Sequence, residues 1–248
     1  MKEMTRAEFI KLAALASLGL AASSAWAAQS DNLKAAAPFH WGRMKFNITE
    51  EGNGWDVHPA GDAFLLNYLK QTTNINVDTS WHVVLFDKLE EMCKYPMLFM
   101  SAEGNIRFTE SYKRNIKEYI ERGGFIYADD CVLRVSGRKV GSHFFKGFIR
   151  TMEEVFNTKM ERLPDKHQLY HCVYDLDHGT PFMQGDDLGG YGLFLNGRLA
   201  AFASPGDIHC GWVSASSRAS KGKPWFSPKQ EQDAMKFSVN LITYAMSN

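Results

Sequence analysis

Only four cysteines stand among the 248 residues, at positions 93, 131, 172 and 210, and no two form a C-x-x-C pair. That spacing argues against a structural zinc site of the paired-cysteine kind and against a thioredoxin-like redox motif. Basic residues are not in excess, since 28 Lys and Arg face 28 Asp and Glu. The basic stripe of a nucleic-acid binder is therefore missing, and no nucleic-acid partner is expected. Beyond the first segment no apolar run approaches the roughly 18 residues needed to cross a membrane. Internal repeats and low-complexity stretches are also absent. No cysteine sits in a G-x-C-x-G turn, the small-residue setting that a strained nucleophile elbow requires.

What is present begins with a leader. Residues 1–27 carry Lys2, Arg6 and Lys11, then an apolar run from Leu12 to Ala22, and end in Ala25-Trp26-Ala27, a small-x-small cleavage pattern. Ser17, Ser23 and Ser24 interrupt the run, which favours a cleaved signal peptide over an anchor. Residues 5–11 also resemble a twin-arginine export signal, with Ala7 in the place of the second arginine, so the route stays open between that system and the general secretory one. Removing the leader's three basic and two acidic residues leaves 25 and 26 in the 221 that remain. The expected organisation is a signal peptide over 1–27, a linker over 28–37 and a single domain over 38–248, in a periplasmic or secreted protein.

From residue 38 onward apolar runs alternate with amphipathic stretches. Strands are expected over 39–48, 77–86, 95–100 (YPMLFM) and 124–128. Helices are expected over 63–72, 109–122, 142–156 and from Ser227 to the end, with a short turn of helix at best over 87–94. Thr109 is placed to cap its helix and Gly123 to stop it. Ser227, Pro228 and Gln230 form a capping box, and Met235, Val239, Ile242 and Met246 the apolar stripe behind it. Asn196-Gly197 between two strand-like runs marks a hairpin with a type I′ turn. Residues 213–224 read as an exposed, mobile loop. The pattern predicts an α/β fold: three layers, a mostly parallel sheet between helices, with a late β-hairpin.

In such sheets ligands bind outside the carboxyl ends of the strands. Three strands end in polar residues: Glu103 after YPMLFM, Asp129-Asp130-Cys131 after FIYA, and Asp207, His209 and Cys210 after the hairpin. Glu103, Asp129, Asp130, Asp207 and His209 are thus the candidate ligand-binding residues. A hard divalent cation would take the carboxylates; a zinc-type ion would prefer His209 with a carboxylate or thiolate. Aspartates at strand-to-helix turns also commonly bond backbone N–H groups or cap helices. Neighbours in a strand point to opposite faces, so one of Asp129 and Asp130 is expected to hold backbone N–H groups and the other to face Asp207 and His209. Cys131 and Cys210 would then stand close enough for a disulfide. The adjacent carboxylates would raise the Cys131 pKa, which weakens a thiolate-nucleophile reading. His58, in WDVHPAGD, could line the same rim from the first loop. His82, inside a strand, reads as a satisfied core or edge residue.

Four segments, W-D-V-H-P-A-G-D, Y-P-M-L-F-M-S-A-E-G, G-G-F-I-Y-A-D-D-C and the stretch 192–212 with N-G-R-L-A and D-I-H-C-G-W, occur in an order that resembles the bacterial family called domain of unknown function 4159. The resemblance covers about residues 38–245. It implies an exported α/β protein with a flavodoxin-like, class I glutamine-amidotransferase-like sandwich, and it implies no reaction. In that family a His often precedes the glycine of the Y-P motif, where this chain has Glu103.

Three functions remain open at this stage. One is a binding or assembly component that takes a small polar ligand or an envelope protein partner at the strand-end rim. The second is a metal-dependent hydrolase using Asp129, Asp130 and Asp207 to activate water. The third is a structural envelope protein. The residues assign no cofactor.

Overall fold

A computed structural model describes residues 37–49, 52–135 and 138–247. The leader and most of the linker expected from the sequence lie outside these residues. The order of elements is β1 (Phe39–Lys45), α1 (Ala60–Thr72), β2 (Val77–Leu85), the single turn α2 (Leu89–Met92), β3 (Met97–Ala102), α3 (Glu110–Glu121), β4 (Phe125–Asp130), β5 (Leu133–Val135), β6 (Arg138–Val140), α4 (His143–Phe156), β7 (Glu161–Arg162), a 3-10 turn (Gln168–Tyr170), β8 (Tyr191–Leu195), β9 (Arg198–Ser204), α5 (Ile208–Ala219) and α6 (Pro228–Ser247). The main sheet runs β2-β1-β3-β4-β9-β8-β7. Its first five strands are parallel, and β8 and β7 add antiparallel pairs at one side. This is the doubly wound, flavodoxin-like order with a switch point between β1 and β3.

Two apolar clusters fill the two sides of the sheet. Trp41, Phe99, Tyr127 and Phe202 pack with Leu65 and Leu69 of α1, Trp212 of α5 and Phe237 of α6. Leu98, Met100, Ile126 and Ala128 pack with Ile116 and Ile120 of α3 and Phe144 and Phe148 of α4. Strands β3 and β4 are buried throughout, as parallel strands covered on both faces must be.

Local signals explain several boundaries. The Thr109 side chain accepts a hydrogen bond from Tyr112 N, and Gly123 ends the following turn at φ 101°. Ser227 and Gln230 bond each other's backbone N–H groups at 3.2 and 3.3 Å, the reciprocal geometry of a capping box. Asn196 and Gly197, at φ 52° and 80°, both occupy the left-handed region that a type I′ turn demands.

Three expectations need correction. Residues 213–224 are not a loop as far as Ala219, because α5 runs through them. Its apolar stripe rests on little more than Ile208 and Trp212. The small residues Gly211 and Ser214 are buried where the helix packs, and a Cβ on Gly211 would stand 2.6 Å from the Ala234 Cβ of α6. Met246 is 45% exposed and leaves the stripe of α6, which has run past the core by its last turn. The strand expected over 95–100 is shifted to Met97–Ala102, which brings Ser101 and Ala102 into the sheet.

Candidate functional site

Register places the polar strand ends in one row. Phe99 pairs with Tyr127 and Tyr127 with Phe202; two residues on, Ser101 pairs with Asp129 and Asp129 with Ser204. With a period of two, each row faces the same side of the sheet, here the α1, α5 and α6 side. Asp130 faces the opposite side.

The two aspartates of the strand end therefore serve different helices. Asp130 accepts from Ser142 N at 3.1 Å and Phe145 N at 2.7 Å, which satisfies N–H groups at the start of α4. Ser142 has φ 64° and makes no side-chain cap of its own. Asp129 Oδ2 accepts from His209 N at 2.7 Å, at the start of α5, where Asp207 at φ 55° likewise does not cap. Each carboxylate also meets the positive end of its helix dipole. Burial and the nearby Asp207 carboxylate nevertheless push the Asp129 pKa well above the ordinary range, against the pull of the α5 N–H groups. Asp130 is pushed up to about 8, by burial first, with the Asp207 and Asp186 charges adding to it and the Phe145 and Ser142 N–H groups opposing.

A buried acid whose folded pKa lies above the unfolded value of about 3.9 holds a proton that the unfolded chain gives up. Its contribution to stability is complete below about pH 4 and is lost as pH rises through the folded pKa. Urea unfolding between pH 4 and 8 should show wild type losing stability relative to Asp130→Asn by up to about 1.4 kcal/mol per pH unit. Parallel profiles for the two proteins would contradict the shift.

Asp207 Oδ2 accepts from Gln184 Nε2 at 2.6 Å and from Val132 N at 3.3 Å. Asp129 Oδ1, Asp207 Oδ1, Ser101 Oγ and both ring nitrogens of His209 are buried without a hydrogen-bond partner. Tyr127 OH lies against the Asp129 carboxylate but outside hydrogen-bond geometry. The His209 ring sits 5.1 Å from Trp212 and 5.5 Å from Phe99, measured between centroids. Its Nε2 lies 3.4 Å from Asp62 Oδ2.

Asp62 opens a network that residue-by-residue reading missed. Asp62 Oδ1 accepts from Trp41 Nε1 at 2.8 Å, and Oδ2 accepts from Arg43 Nη1. Arg43 also donates to Trp55 O at 2.7 Å and Val57 O at 2.5 Å, so it holds the loop after β1. Arg43 and Asp62 are both fully buried. An arginine inside the apolar run of β1 was the available signal, because a buried charge requires a partner.

Glu103 lies on the same rim but is engaged elsewhere. Its Oε2 accepts from Asn53 N at 2.6 Å and Asn53 Nδ2 at 2.9 Å, and its own N–H donates to Asn53 O. These bonds tie the loops after β1 and β3 across the switch point. The structure thus groups Asp129, Asp207 and His209, sets Asp130 on the far face and gives Glu103 to the loops.

Cys131 and Cys210 are buried, unbonded thiols with sulfurs 3.9 Å apart. The Cys210 thiol pulls the Cys131 pKa down, but burial and the Asp207 carboxylate outweigh it and push the group up to about 11. A free thiolate nucleophile is accordingly disfavoured. His58, at φ 50°, offers a ring nitrogen within 4.8 Å of both sulfurs. The other group of this kind among the described residues, His40, Asp78 and His82, lies on the β1–β2 edge. There Asp78 Oδ2 meets His40 Nδ1 at 3.0 Å and His82 Nε2 at 2.8 Å. No group of three acids converges in this way among the described residues.

Beside the strand ends runs an open groove of about 370 Å³. Asp175, Asp177, Asp187 and Asp233 line it, against Lys229 and His178. Thr180, Phe182 and Asp187 are shared with a narrow hollow that reaches Ser204 and Gly206 at the end of β9.

Residues 42–246 match the family model described as a domain of unknown function, DUF4159. No curated protein matches the chain.

Proposed function

The chain belongs to the DUF4159 family, and on that premise we propose that it is an exported binding component for a small ligand rich in hydrogen-bond donors, an amine or a polyol. One observation carries this reading: Asp129 Oδ1, Asp207 Oδ1 and His209 Nδ1, at or just beyond the ends of β4 and β9, are buried and unmatched, while His209 Nε2 faces Asp62. An unmatched buried polar group costs about 1–3 kcal/mol, so a guest that supplies donors there recovers free energy. The neighbouring groove has four carboxylates and a single lysine, which favours the same ligand class. The leader pattern of residues 1–27 supports export.

A hydrolase using oxygen ligands for a metal has less support, because Asp130 spends both oxygens on α4. Asp129 and Asp207 alone do not make a carboxylate cage of the usual kind.

Thermal melts against panels of amines, polyols, sugars and dicarboxylates test the proposal, with protein isolated from the envelope fraction of its native host. At a ligand concentration of 100 Kd the stabilisation is about 2.7 kcal/mol, or about 5–10 °C for a chain of this size. Asp129→Asn and His209→Gln should remove the shift. If no amine or polyol stabilises folded wild type, or if both variants keep the shift, the reading fails. Recovery from the cytosol with Met1 intact would remove export from it.

A further inference from the structure

We infer that His58, Cys131 and Cys210 form a binding site for a thiophilic divalent ion of the zinc type, on the outer side of the strand-end cluster. Two thiolates each about 2.3 Å from a tetrahedral ion stand about 3.8 Å apart, and the sulfurs of Cys131 and Cys210 are 3.9 Å apart. A disulfide would need them to close to about 2.05 Å. The His58 nitrogen lies within 4.8 Å of both sulfurs, so a small contraction brings all three onto one ion.

Three protein ligands leave the fourth tetrahedral position to a water. The Asp207 carboxylate lies against the Cys210 thiol and adds negative charge beside the ion. Two sulfurs and one imidazole nitrogen suit zinc rather than magnesium or calcium, which prefer all-oxygen sets.

The surroundings fit a metal better than a nucleophile. Both sulfurs are buried beside the Asp207 carboxylate. A divalent ion supplies the missing positive charge, and each thiol releases its proton to solvent as its sulfur coordinates. His58 takes φ 50°, a region uncommon for residues other than glycine. It is the outermost of the proposed ligands, and the edge of the half-exposed Trp225 ring lies over it at 5.2 Å. An ion would enter between these two rings.

This inference does not rest on the proposed ligand, since none of His58, Cys131 and Cys210 belongs to that site. Reduced, chelator-treated full-length protein is titrated with Co²⁺ as a spectroscopic stand-in for Zn²⁺. One equivalent should produce tetrahedral ligand-field bands and a thiolate-to-cobalt charge-transfer band, with release of two protons, and Zn²⁺ should bleach both bands. Cys131→Ser and Cys210→Ser should each halve or abolish the charge-transfer band. His58→Ala should weaken binding about tenfold or more, while Cys93→Ser and Cys172→Ser leave the titration unchanged. Should a serine variant fail to fold, Zn²⁺ protection of Cys131 and Cys210 from alkylation in wild type reads the same site. A reduced wild type that gives no thiolate band and no protection overturns the inference, as does a band that survives both serine substitutions. Asp129→Asn separates the two proposals, because it should remove the ligand-induced thermal shift and keep the cobalt spectrum.

Discussion

Asp62→Asn is expected to destabilise the fold by about 3–5 kcal/mol, the usual cost of breaking a buried ion pair from one side. Arg43 would be left as a buried charge in β1 without its counter-charge, held by neutral oxygens such as the carbonyls of Trp55 and Val57. Trp41 Nε1 and the His209 ring would also lose the carboxylate they face. For a domain of this size the loss corresponds to roughly 6–20 °C in Tm. The double variant Arg43→Met with Asp62→Leu should recover much of it, because an apolar pair of similar volume escapes the desolvation cost. Urea denaturation of the three proteins checks the cycle. A single-variant loss below about 1 kcal/mol would show that Arg43 is paired by other means.

Trp212→Ala should cost about 3–5 kcal/mol as well, through a different mechanism. The Trp212 ring is fully buried and lies within 5.1 to 6.3 Å of His209, Phe99, Trp41 and Tyr127. Its Nε1 donates to Ser238 Oγ at 2.8 Å and joins α5 to α6. Alanine leaves a cavity between the sheet and both helices, and the neighbours come from too many elements to collapse into it together. Trp212→Phe keeps most of the ring and should lose less than half as much. Equal losses for the two variants would mean that the indole hydrogen bond, rather than the ring volume, carries the residue's contribution.

Much of the fold was legible because its signals are local. The run MLFM, the Asn196-Gly197 turn, the Thr109 cap and the Ser227–Gln230 box each rest on residues within a few positions of one another. The helix α5 was illegible for the converse reason. Beyond Ile208 and Trp212 its buried side is His, Cys, Gly and Ser, which carry little apolar signal until the helices packed against them are known. Within the site, strand alternation was enough to assign Asp129 and Asp130 to opposite faces, and the rim argument brought Cys131 and Cys210 together although 79 residues separate them. The Arg43–Asp62 pair needed the crossover itself. Nothing in either local segment says that β1 and α1 meet at those two positions. Glu103 reads as a free rim acid until the loop after β1 folds back onto it.

The placement of Asp129 and Asp130 on opposite faces has a consequence for how β4 is aligned. Each carboxylate reaches the first turn of a helix in a different layer, and the Cα atoms of neighbouring residues lie only about 3.8 Å apart. The end of β4 therefore acts as a two-sided key. A slip by one residue would turn Asp129 toward α4 and leave α5 facing either Ala128 or Asp130, out of step with its N–H groups. No intermediate position satisfies both locks. The height of β4 in the sheet, and with it the height at which both helices begin, is thus set by two adjacent side chains as well as by the apolar packing behind them.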